Sequence, residues 1–159
     1  AAKILTSHTP SKGGVPRVPV ALGVVEMWER MLNTQESADV TIVCRKLTEE
    51  NGEGGSGSGG GVVVAHKVVL RAASRVLRAM LSTSFKEGGT ANVNVDCGAA
   101  PVRLLLSQIY TGEEVDDAES PPDVVLSSME LAHQWDVGHA VAALEAAAAK
   151  AIDDANFGL

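Results

Sequence analysis

Residues 54–72 read GGSGSGGGVVVAHKVVLRA, and the abrupt change from a glycine–serine tract to three valines limits the folds open to this chain more than any other feature. β-Branched side chains lose rotamer freedom in a helix and sit well on a pleated surface, so Val62, Val63 and Val64 predict a strand. The segment before the tract, DVTIVC from Asp39 to Cys44, predicts another. Gly55, Gly57 and Gly60 also match G-x-G-x-x-G, but a phosphate-binding loop must open directly into a helix whose N-terminus faces the anion. Here a strand follows, no acidic residue stands about twenty positions on to hold a ribose, and no Gly-Lys-Ser/Thr is present. The reading is strand, coil, strand: a hairpin closed by a flexible insert over 52–61, with no nucleotide or other cofactor expected.

The hairpin needs a core to belong to. The chain has 159 residues, 45% of them hydrophobic and 21% charged, which fits one globular domain plus tails. A net charge of −7 and the lack of a run of Lys or Arg argue against nucleic-acid binding, whose affinity is dominated by phosphate contacts. Cys44 and Cys97 are far apart and not in C-x-x-C spacing, as expected of two small buried hydrophobes in a reducing compartment. No apolar run is long enough to span a bilayer and no signal-peptide pattern occurs, so a soluble protein of the cytoplasm or nucleus is expected. A start at Ala1 rather than Met reads as a piece of a larger protein.

Residues 1–21 carry Pro10, Pro16 and Pro19 with Gly13 and Gly14, the composition of an extended linker. From Val24 to Leu32, residues Val24, Met27, Trp28, Met31 and Leu32 recur at helical spacing, with Glu26, Glu29 and Arg30 off the stripe. HKVVLRAASRVLRAML reads as helix broken near Ser74, and ANVNVDC alternates Val93 and Val95 against Asn92 and Asn94, as in a half-buried strand. The remainder reads as three helices, APVRLLLSQIY stopped at Thr111-Gly112, DVVLSSMELAHQW, and the alanine-rich HAVAALEAAAAKAI. Strands and short helices followed by a helical half predict an α+β domain.

Catalytic chemistry is not indicated. His8, His66, His133 and His139 include no pair at metal-ligand spacing, and no serine sits in a G-x-S-x-G elbow. The paired acids Glu49-Glu50, Glu113-Glu114, Asp116-Asp117 and Asp153-Asp154 are adjacent in sequence, so their side chains diverge rather than converge on a substrate. Neither a metal site nor an enzyme is expected.

The order SADVTIVC, VVVAHKVVLRAASRVLRAML, SFKEGG, NVNV, LLLSQIYTGEEV and LSSMELAHQWDVGHAVAALEAA resembles the BTB/POZ domain, in which Asp-Val stands beside a strand, Ala-His-Lys-x-x-Leu at a strand-to-helix turn, and Tyr-Thr-Gly after a helix. The resemblance covers 22–153, leaves 154–159 as a tail, and implies a small three-stranded sheet flanked by a cluster of short α-helices. Departures are Val64 in place of an aromatic before Ala-His, Ser74-Arg75-Val76-Leu77 in place of Ser-Pro-x-Phe, and the glycine insert in a normally short hairpin.

The resemblance further implies an interaction module without catalytic residues. Many such domains are homodimers in which the first helix meets its copy, making Met27, Trp28, Met31 and Leu32 interface candidates, with Trp28 as anchor, the alternative being that the stripe only covers the domain's own core. Asp39 and Lys67 are expected to meet as a charged pair at the same interface, the alternative being that Asp39 caps a turn. Adaptors of cullin-RING ubiquitin ligases in this family use a hydrophobic-x-Glu motif after the third helix, which Phe85-Lys86-Glu87 matches, the alternative being that Phe85 caps the core, and Tyr110 lies where members offer a tyrosine to the same partner. The segment 15–40 is similar in layout to the linker between a MATH and a BTB domain, which would put substrate choice in a domain outside this sequence. A corepressor-recruiting domain of a transcriptional regulator and a channel-type tetramerisation domain are the alternatives.

Overall fold

The computed structural model describes residues 19–45, 60–82, 91–116 and 119–157. The elements run α1 (Leu22–Thr34), β1 (Val40–Arg45), β2 (Gly60–Ala65), α2 (Lys67–Ala73), α3 (Arg75–Ser82), β3 (Ala91–Val95), α4 (Ala99–Tyr110), α5 (Pro122–Gln134) and α6 (Gly138–Phe157). The result is the expected α+β arrangement, a small mixed sheet flanked by helices.

β1 is the central strand of the order β2-β1-β3. It pairs antiparallel with β2, Val40 opposite Ala65 and Arg45 opposite Gly60, and parallel with β3, Val40 opposite Ala91. The chain therefore leaves β2 and enters β3 at the same end of the sheet, with α2 and α3 between. Asp39 joins the parts at that end: its N–H donates to the Ala65 carbonyl at 3.1 Å, and its carbonyl accepts from the Ala91 N–H at 3.1 Å. Alternation decides the faces, so Val40, Ile42, Cys44, Ala91, Val93 and Val95 are buried while Asn92 and Asn94 are exposed.

β2 begins two residues before the valine run. Gly60 and Gly61 pair with Arg45 and Cys44, so the connection between the strands spans only 46–59, outside the described residues, and the insert read as 52–61 is shorter at its C-terminal end. A ladder bond needs a main chain and no side chain, and position 61 needs the missing one: a Cβ there would stand 3.1 Å from the Cβ of Ala99 at the start of α4.

The break at Ser74 is built by hydrogen bonding. Ser74 is extended (φ −138°, ψ 129°), its Oγ accepts the Leu77 N–H at 2.9 Å as the N-cap of α3, and its hydroxyl donates to the Trp135 carbonyl at the end of α5. The core gathers Ile42 from the sheet, Leu70, Leu77 and Leu81 from α2 and α3, Leu105 and Leu106 from α4, and Leu144 from α6, all fully buried. α4, α5 and α6 pack in succession against one another, and α6 continues to Phe157, beyond the boundary at 153 drawn from the sequence.

Candidate protein–protein interface

α1 is a thirteen-residue helix of which no residue is fully buried. Its apolar stripe divides lengthwise. Trp28, Met31 and Leu32 are half-buried against the core, whereas Val24 (41% exposed) and Met27 (53%) form an open rib beside them, preceded by Val20 (58%). Helical spacing at i, i+3 puts Val24 and Met27 on one side of the helix, while Val20 precedes its first residue, Leu22. Of the four interface candidates on this helix, Met27 stands in the open rib and the other three sit along its inner edge.

Trp28 is held from beneath by Tyr110, the two rings meeting edge to face at a centroid distance of 6.4 Å and an interplanar angle of 78°. Tyr110 ends α4 and is buried. Its hydroxyl accepts the His66 main-chain N–H at 2.9 Å and lies 2.8 Å from His66 Nδ1, while His66 Nε2 lies 2.7 Å from the Glu36 carbonyl. A carbonyl can only accept, so Nε2 carries the proton and Nδ1 accepts from the tyrosine, leaving every group paired. Burial pushes the Tyr110 hydroxyl up to about 12, with nearby Asp39 adding to the rise and the His66 N–H opposing it. The sequence reading made Tyr110 a residue offered to a cullin. The structure instead places it inside the domain, where its ring and hydroxyl are both committed, because Ala-His-Lys and Tyr-Thr-Gly meet at this point.

Asp39 and Lys67 meet at the start of α2. Asp39 Oδ1 accepts the Lys67 N–H at 2.6 Å, at the first turn of α2, which is the capping alternative weighed for this aspartate. Phe85 and Glu87 lie outside the described residues, between α3 and β3. Cys44 is buried and Cys97 half-buried, and burial raises both thiols, Cys97 to about 11, so both are protonated near neutrality. His133 on α5 faces Glu145 of α6 at 3.4 Å on the exposed side.

Among the described residues no cluster of His, Cys, Asp and Glu could hold a metal ion, and no helix is long and apolar enough to cross a membrane. No curated protein sequence matches the chain. The family model of the BTB/POZ domain matches residues 29–151, from the middle of α1 through most of α6. The chain belongs to the BTB/POZ family, whose domains self-associate and mediate protein–protein interactions.

Proposed function

We propose that this domain is a homodimerising adaptor, without catalytic activity, that brings a substrate to the cullin scaffold of a cullin-RING ubiquitin ligase. The observation that carries the reading is the open rib of α1. A helix bearing Val24, Met27, Trp28, Met31 and Leu32 that leaves none of them fully buried has apolar area left to cover, and a second copy meeting it along the same face covers both at once. Cullin recognition rests on sequence: Phe85-Lys86-Glu87 follows the last residue of α3, Ser82, by a few positions and matches the hydrophobic-x-Glu pattern of the adaptors. The substrate is chosen by a domain outside this sequence, in keeping with the likeness of 15–40 to a MATH-to-BTB linker.

The test is a pull-down with a cullin N-terminal region combined with a mass measurement in solution. A partner pocket that buries a phenylalanine gains about 1.5–3 kcal/mol, about a tenfold to hundredfold change in affinity. Phe85→Ala should therefore melt within a few degrees of the parent and fail the pull-down, while Glu87→Ala binds more weakly with an unchanged melting curve. A Phe85→Ala variant that retains the cullin as well as the parent overturns the adaptor reading, as would a tetramer in solution.

A further inference from the structure

α1, β2 and α4 leave a groove of about 260 Å³ between them. Its floor is apolar: Val63 and Leu106 are buried, and Val64 is half-buried beside them. Its rim is charged. Arg103, Ser107 and Thr111 stand at i, i+4 and i+8, so they form one row along α4 and its C-cap. At about 1.5 Å per helical residue, the first and last of them are about 12 Å apart. Arg103 thus marks one end of the groove and Glu113 the other. Glu29 joins Glu113, because it adjoins Trp28, whose ring meets Tyr110 at that same end of α4. All three charged residues are exposed, and among the described residues none of them makes an ion pair.

The acidic end is held in place. Thr111 Oγ1 donates to the Ser107 carbonyl at 2.8 Å and accepts the Glu113 N–H at 3.3 Å, while the buried Gln108 donates from Nε2 to the Glu113 carbonyl at 2.5 Å. A rim fixed in advance costs a ligand less to engage. α1 contributes its polar side, Glu29 and Asn33 at i, i+4, and Leu32 is the one residue shared with the apolar stripe; Val24, Met27, Trp28 and Met31 do not line the groove.

We infer that this groove docks an extended peptide segment of a partner protein, with an acidic residue on Arg103, an aliphatic side chain on Val63 and Leu106, and a basic residue between Glu29 and Glu113. An extended chain rises about 3.3 Å per residue and points alternate side chains the same way, so residues i, i+2 and i+4 cover about 13 Å on one face. That span matches the row on α4 and presents acid, apolar group and base together. The volume lies below the about 300–1,000 Å³ of a pocket for a drug-sized ligand, and suits a single side chain better than a small molecule. Opposite charges at opposite ends reject a segment of uniform charge, one end of which would meet its own sign. The inference goes beyond the adaptor reading, which uses the open rib of α1 and the segment after α3.

The probe is a fluorescein-labelled peptide of about nine residues with Glu-Ser-Leu-Ser-Arg at its centre, read by anisotropy against counterparts with Glu at both ends, Arg at both ends, or Ser in place of Leu. The mixed peptide should bind the full chain about tenfold more tightly than each counterpart and weaken at about 0.5 M salt. Arg103→Glu should weaken the mixed peptide about tenfold and admit the double-arginine peptide that the parent refuses, and Glu113→Lys should also weaken the mixed peptide about tenfold. Met27→Glu should leave the affinity for the mixed peptide unchanged, whatever its effect on mass. Equal binding of the four peptides, or an Arg103→Glu protein with no gain for the double-arginine peptide, overturns the inference. So does loss of peptide binding with Met27→Glu or a change of mass with Arg103→Glu, either of which would assign the groove to contact between copies.

Discussion

The Tyr110 hydroxyl bonds twice to one residue, accepting the His66 main-chain N–H at 2.9 Å and meeting His66 Nδ1 at 2.8 Å, so a single oxygen ties the end of α4 to the turn between β2 and α2. Tyr110→Phe keeps the ring under Trp28 and leaves two buried groups of His66 without a partner, at a cost of about 1–3 kcal/mol. Urea unfolding of the two proteins at pH 7 checks this: the midpoint should fall with the slope unchanged.

The same hydroxyl predicts an alkaline limit. Its native value is pushed up to about 12, against about 10 in an unfolded chain, so the folded state holds the proton longer. That contribution is complete below about pH 10, declines as pH rises, and is gone above about 12; its size is of the order of 1–3 kcal/mol. The parent should lose stability across this window more steeply than Tyr110→Phe. Cys97 titrates in the same range in both proteins, so the difference between the two melting curves isolates the tyrosine. Parallel curves would remove the assignment.

Asp39 separates a main-chain cap from an ion pair. Asparagine retains an oxygen that can accept the Lys67 N–H, whereas alanine does not. Asp39→Asn should therefore melt close to the parent, and Asp39→Ala should lose about 1 kcal/mol or more. Equal losses from both variants would show that the charge itself is required.

Ser74 serves two helices at once, as the cap of α3 and as a donor to the end of α5, and is fully buried. Ser74→Ala should cost about 1–3 kcal/mol, read as a lower melting temperature. Ser74→Thr would test whether the hydroxyl alone suffices in so closed a site.

On α1 the exposed and half-buried rows should respond differently. Met27→Glu puts a charge in the open rib and should yield a folded monomer by analytical ultracentrifugation, with a melting curve that no longer depends on protein concentration. Trp28→Ala also removes the ring resting on Tyr110, so it should lower both self-association and the stability of the isolated domain. A Met27→Glu protein with the parent's mass would place the contact elsewhere.

Local periodicity made much of the fold legible. The alternation ANVNV, the stripe on α1 and the stop at Thr111-Gly112 each state their element in a few residues. What periodicity does not carry is partnership across the chain. Nothing near Tyr110 in sequence indicates that its hydroxyl is consumed by a histidine forty-four positions away, and so a buried tyrosine read as a surface one. The early start of β2 was hidden for a related reason: Gly60 and Gly61 carry no side chain to show strand preference, and only the register against Cys44 and Arg45 reveals them.

The register also prescribes how the insert can be removed. Arg45 stands opposite Gly60, so replacing 46–59 by Asn-Gly joins a pair already aligned for a two-residue turn of the kind that matches strand twist. Shortening the connection from fourteen residues to two is nearly three halvings of loop length at about 0.6 kcal/mol each, so stability should rise by about 1.7 kcal/mol, and partner binding should persist if the insert is only a connection. A folded variant that no longer binds would make it a contact surface.

The central place of β1 bears on the route by which the chain folds. Its antiparallel partner arrives after residues 46–59, its parallel partner only after α2 and α3 have also been spanned. Chain closure must be met before distant pairings stabilise anything, so the β1–β2 ribbon should assemble first and offer the edge on which β3 aligns. Shortening the glycine tract would then accelerate refolding while leaving the unfolding rate nearly unchanged, and substitutions in β3 would chiefly accelerate unfolding. A stopped-flow chevron of each variant reads this directly, and it makes the tract a control on the time the nascent sheet spends with an unprotected strand edge.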